Sequence, residues 1–156
     1  MLMPGLRRSL IALVLLFTAC SDDGPLSIKE IREIQAARAR WLASPVRAGY
    51  RFEVRQSCFC PEEYVRWNTV TVINDTIIDV RATQSGEVVP AARRSSYLTV
   101  EEMFASLPTG RDEYLVDVQV RFDPQYGYPL EISTFTKPEI ADGGGSILAR
   151  NLQPTR

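Results

Sequence analysis

Three cysteines are the residues most able to do chemistry in this 156-residue chain, and two of them, Cys58 and Cys60, stand one residue apart in the stretch SCFCP. Four chemistries fit such a pair: a local disulfide, a redox-active dithiol, a metal site, or two inert thiols. In an extended strand residues i and i+2 share a side, but their Cβ atoms lie farther apart than the ~3.8 Å of a disulfide. A bond therefore needs a bend at Phe59, between a strand over 49–56 and Pro61, which itself holds Cys60 extended. Closing a three-residue loop contributes only roughly 1.6 kcal/mol of chain entropy before strain. Such a bond either pins a local turn or remains reducible. Zinc would need two further ligands, and the chain has no histidine to supply them. Glu62 and Glu63 follow as adjacent carboxylates, which point apart in a strand.

The absence of histidine also removes the commonest general base. There is no Ser-His-Asp pattern, no phosphate loop and no dinucleotide fingerprint. The expectation is a protein that is not an enzyme, with no cofactor and no metal. Asp123, Glu139 and Asp142 are the one acidic set that could gather around calcium, without the spacing of a calcium loop. The net charge of −1 offers no basic field for nucleic acid. Arg93-Arg94-Ser95-Ser96 is a small basic spot, read as a solvated loop rather than a headgroup contact. Asn74-Asp75-Thr76 matches the glycosylation pattern, but a hairpin turn accounts for it better. Trp67, Tyr126, Tyr128 and Phe135 are core residues if buried and a recognition patch if exposed together.

The third cysteine, Cys20, bears on location. Arg7 and Arg8 precede an unbroken apolar run, Leu10 to Phe17, too short to span a bilayer. Small residues Thr18 and Ala19 then lead into Cys20. This reads as a secretory signal over residues 1–19. The stretch LFTAC resembles the bacterial lipoprotein signal, with Phe17 where leucine is usual. Plain cleavage near Ala19 without lipid is the alternative. The resemblance implies acyl chains on Cys20, and two or more chains give stable anchoring. Losing the signal removes Arg7 and Arg8 and no acid, which takes the net charge from −1 to −3. Residues 20–25 form a short tether, whose five-residue SDDGP part spans roughly 12 Å as a flexible coil. Ser21 after the cysteine, where aspartate retains many such proteins at the inner membrane, favours the periplasmic face of the outer membrane.

Residues 26–156 must then form one domain that positions these groups. Ser27 and Glu30 make a capping box with Leu26 and Ile31 as staple, opening a helix whose apolar positions include Ile34, Ala37, Trp41 and Leu42. Pro45 lies beyond its end. Thr99 and Glu102 repeat the device for a second, short helix, with Leu98 and Met103 as staple. Tyr50, Phe52 and Val54 alternate with polar residues, as a half-buried strand does. Residues 64–73 read as a strand with a bulge near Asn68 and Thr69, turning at Asn74-Asp75 into a partner over 76–82. Tyr114, Val116, Val118, Val120 and Phe122 give the cleanest period of two, followed by a turn over 123–127 and a strand over 130–135. Residues 146–152 read as a last, edge strand after Gly143-Gly144-Gly145. The expected fold is α+β: helix, three strands, helix, two or three strands, with a mostly antiparallel sheet of five to six strands and both helices on one face.

Several of these residues together resemble a family of small bacterial lipoproteins and secreted domains of unassigned function. They are Trp41, Tyr50 with Phe52, Cys58 with Cys60, Met103-Phe104, Asp123-Pro124 and Gly127-Tyr128-Pro129. The family tends to carry an acidic run before its last strand, where this chain has Asp142 and three glycines. The resemblance supports the fold and implies no reaction. The expectation is a membrane-anchored envelope lipoprotein, a non-catalytic binding or accessory module with an envelope protein as partner. Two alternatives are a thiol–disulfide protein using Cys58 and Cys60, and a periplasmic inhibitor or ligand-binding domain using loop 83–97 and the Tyr126 turn.

Overall fold

Both capping boxes form, and each starts a helix where the pattern places it. Ser27 begins α1 (Ile28–Leu42) and Thr99 begins α3 (Val100–Ala105). The computed structural model describes residues 24–108, 112–140 and 143–155. Between the two helices lie β1 (Gly49–Ser57), a helical turn α2 (Glu62–Val65), β2 (Asn68–Ile73) and β3 (Thr76–Ala82). After α3 come β4 (Leu115–Phe122), β5 (Pro129–Thr136) and β6 (Gly145–Pro154). The six strands form one antiparallel sheet in the order β3-β2-β1-β6-β5-β4, so the fold is α+β as expected.

One sheet face is the core. Tyr50, Phe52 and Val54 of β1, Val70 and Val72 of β2, Val80 of β3, Ile132 of β5 and Ala149 of β6 are buried with Ala37 and Trp41 of α1 and Val100, Met103 and Phe104 of α3. The alternating strand residues Arg51, Glu53 and Arg55 face the other side, a division that antiparallel sheets tolerate because one face can stay wet.

Three expectations change. The strand expected over 64–73 starts only at Asn68, and Glu62–Val65 is a helical turn. Asn68 is fully buried and its Nδ2 donates to the carbonyls of Glu63 (2.8 Å) and Arg66 (2.9 Å). Those two bonds fold the preceding segment back, so the slip in alternation is an element boundary. The bulge of this hairpin lies instead between Thr71 and Val72.

The second change is β6, which is not an edge. It sits between β1 and β5, pairing Arg51 with Gln153 and Ser57 with Ser146. A bulge between Arg51 and Glu53 accompanies Asn151 at φ 55°, a left-handed position that asparagine accepts. The third concerns the β4 stripe. Val118 is buried, but Tyr114, just before β4, and Val116 are exposed, because β4 is a sheet edge and a bulge between Leu115 and Asp117 interrupts its alternation. The staple partner Ile31 and the terminal Leu42 of α1 are likewise exposed.

Candidate functional site

The motif residues that suggested a family turn out to build the core. Tyr50 meets the edge of Trp41, with ring centroids 5.1 Å apart at 88°. Its hydroxyl oxygen accepts the Val100 N–H at 2.9 Å, so β1 satisfies a donor at the first residue of α3. Burial pushes the Tyr50 phenol well above its ordinary range, against the lowering effect of that bond. Phe52 packs on Tyr50 at 5.7 Å. In the turn before β5, Asp123 Oδ1 accepts from the backbone of Gln125 (3.0 Å) and Tyr126 (2.6 Å). Gly127 sits at φ +82° with its Cα against the Ala37 carbonyl and the Trp41 nitrogen, where no side chain fits. Tyr128 and Pro129 are buried. Asp123 thus closes a turn, and Asp142 of the suggested calcium set lies outside the described residues. Among the described residues no group of three acidic or sulfur ligands gathers.

The aromatic patch does not assemble. Tyr126 packs against the core, Tyr128 is inside it, and Phe135 lies at the opposite end of β5. The loop over 83–97 is held down: Arg93 pairs with Glu63 at 2.6 Å, and Arg94 donates to the carbonyls of Ile78 (2.5 Å) and Val89 (3.4 Å). Tyr97 at its end is buried, and desolvation, then the nearby Glu63 charge, pushes its phenol up to about 12.

Two features remain outside the core. The first is the disulfide loop. Cys58 and Cys60 are bonded, with Cα atoms 5.3 Å apart, against ~6.8 Å for two residues of an extended strand. The chain bends at Phe59, whose side chain is 91% exposed. Cys58 is exposed and Cys60 half-buried. Cys20 lies outside the described residues.

The second is the bare face of the sheet. Trp67 lies there, with the guanidinium of Arg150 3.9 Å and that of Arg55 5.0 Å from its ring centre. Arg150 in turn donates to Glu53 at 2.8 Å, and Asn151 donates to the other carboxylate oxygen at 3.1 Å. Partial burial works to raise the Glu53 pKa, but the bonds from Asn151 and Arg150 outweigh it and hold the carboxyl below its ordinary value. Farther along, Arg121 donates to Glu131 at 2.7 Å, which lowers that carboxyl, and Ser133 adds a bond at 3.0 Å. Beside the β6 bulge a shallow hollow is lined by Arg51, Glu53, Thr69, Asn151 and Gln153. The face is a lattice of guanidinium and carboxylate groups around one indole, suited to contact with planar or charged groups. Single-sequence reading missed it because Arg55, Trp67 and Arg150 lie on three separate segments.

These features define a small α+β domain with an antiparallel sheet, one covered face, one bare face and a disulfide loop at one end. Residues 33–154 match the model described as "Family of unknown function (DUF6174)", and the chain belongs to that family. No curated protein and no solved structure matches it.

Proposed function

We propose that the protein is a lipoprotein of the bacterial cell envelope, anchored through acyl chains on Cys20, and that its domain is a non-catalytic binding or accessory module. The observation that carries this reading is LFTAC ending at Cys20, four residues before Gly24, where the described domain begins. Supporting it, no helix among the described residues is long and apolar enough to cross a membrane, so an acyl anchor would supply the attachment that the domain's helices do not. The face around Trp67 is the recognition surface of this reading, and an envelope protein its partner. Ser21 after Cys20 favours the periplasmic side of the outer membrane. The test is expression of the full chain in a bacterium fed an alkyne fatty acid. The parent should take up label, start at Cys20 by mass and partition into detergent, and Cys20→Ala should do none of these. A parent chain without label, cleaved at Ala19 and released, would overturn the reading.

A second reading rests on the exposure of Cys58. An accessible sulfur in a short loop suits thiol–disulfide exchange. Equilibration with glutathione buffers separates the two. Opening between about −120 and −270 mV supports exchange, and a bond that persists below about −300 mV is a brace.

A further inference from the structure

The tether and the disulfide loop leave the domain at the same end of the sheet. The strand register shows it. Ser57 at the end of β1 pairs with Ser146, Gly145 pairs with Thr134, and Leu115 pairs with Thr136. Lys137 N–H donates to the Tyr114 carbonyl at 3.0 Å. Gly24 and Pro25 share a hollow with Asp112, Glu113, Leu115, Val116 and Lys137. From β1 to β4 is three strand spacings, about 14 Å.

That end is also where large apolar side chains stand in solvent: Phe59 (91% exposed), Tyr114 (57%), Ile28 (56%), Val116 (54%) and Phe135 (43%). The other end keeps two such residues, Ile78 (49%) near the Asn74-Asp75 turn and Leu42 (47%) at the end of α1, but none as exposed as Phe59, Tyr114, Ile28 or Val116. Its Asn74-Asp75 turn is polar, and Tyr128 and Pro129 next to the Gly127 turn are buried. Phe59 extends from a backbone bend closed by the disulfide, so little conformational freedom is lost when its ring is buried elsewhere. An apolar ring held in water by a covalent clamp has no role in this core.

We propose that Phe59 and the apolar rim of Tyr114, Val116 and Ile28 insert into the interfacial layer of the lipid bilayer to which the chain is tethered. The inference rests on the Cys20 anchor proposed above. Gly24 follows Cys20 by four residues, a span of at most about 14 Å. An acylated Cys20 therefore holds this end of the sheet at headgroup depth, with Phe59 one domain radius to the side. Tyrosine rings such as that of Tyr114 are enriched in that layer, and the Phe59 ring gains by leaving water. Insertion at a second point orients the domain, with the sheet standing on the membrane and the bare Trp67 face turned sideways, open to partners.

The experiment uses the full chain, purified from bacterial membranes and reconstituted into phosphatidylcholine vesicles with or without acyl-chain bromination. Phe59→Trp adds an emitter at the loop, and Gln125→Trp adds one to the exposed turn at the other end. Neither site is packed in the core. The emission added by Phe59→Trp should fall about twofold or more in brominated vesicles, and that added by Gln125→Trp should be unchanged. Intact mass of the same samples reports the acyl chains. Quenching at 59 without acyl mass would uphold insertion and remove the anchor. Acyl mass with no quenching at 59 would overturn insertion and leave the anchor. A blue-shifted, unquenched signal at 59 with a co-purified protein would overturn it in favour of a protein pocket.

Discussion

Removing one oxygen atom, in Tyr50→Phe, isolates the bond that joins β1 to α3. The Val100 N–H stands at the start of α3, where no helical carbonyl can accept it, and Val100 is fully buried. The Thr99 hydroxyl accepts from Glu102, two residues further into the helix, and not from Val100. Without the Tyr50 hydroxyl this donor is left without an acceptor in the core, at a cost of about 1–3 kcal/mol. The phenylalanine ring retains the Trp41 and Phe52 contacts, so packing changes little. Tyr97→Phe is the internal control. The Tyr97 hydroxyl donates to the Glu63 carbonyl at 3.3 Å, and that carbonyl keeps the Asn68 amide at 2.8 Å. Its removal leaves no orphan and should cost less than about 1 kcal/mol. Urea unfolding followed by tryptophan fluorescence measures both, with midpoints shifting and slopes unchanged. Equal costs for the two variants, or a Tyr50→Phe chain within about 0.5 kcal/mol of the parent, would mean that the Val100 N–H is not orphaned by loss of the hydroxyl.

Four further outcomes follow from the same packing. Asn68→Ala strips the Arg66 carbonyl of its amide partner and should cost about 2–3 kcal/mol, with faster hydrogen exchange in the turn Glu62–Val65. Gly127→Ala, at φ +82° and against α1, should cost about 2–4 kcal/mol by thermal melting, whereas Gly86→Ala, at φ +72° in open space, should cost only about 1 kcal/mol. Replacing both Cys58 and Cys60 by serine should lower stability by no more than roughly 1.6 kcal/mol, and a loss above about 3 kcal/mol would mean that the bond braces more than its own turn. Glu53 has a lowered folded-state pKa, so its contribution is complete above the unfolded value of 4.5 and disappears as pH falls through the folded one. Urea midpoints between about pH 5 and pH 2.5 should therefore fall less steeply for Glu53→Gln than for the parent.

The parts of this protein legible in one sequence are those whose partners lie a few residues apart. Ser27 with Glu30 and Thr99 with Glu102 begin helices because each box closes within one turn. Asn74 and Asp75 turn a hairpin because both accept positive φ, 48° and 58°. The alternation of Tyr50, Phe52 and Val54 assigns sides to β1 without reference to any partner. Cys58 and Cys60 offer each other as nearest partners, although spacing alone left their chemistry open.

The remaining features depend on residues far apart in the chain. The central place of β6 comes from its ladder with β1 about a hundred residues earlier, and backbone pairing leaves no mark on side-chain pattern. The stripe from Tyr114 to Phe122 is perfect by period, yet Tyr114 and Val116 remain uncovered, because a bulge between Leu115 and Asp117 breaks the register with β5, and a bulge depends on the partner strand. Tyr50 reads as a core ring from its spacing, but its hydroxyl serves a helix that begins fifty residues later. That Phe59 and the tether share one end of the sheet follows from the antiparallel registers of β1, β6, β5 and β4, which are set by packing over the whole domain.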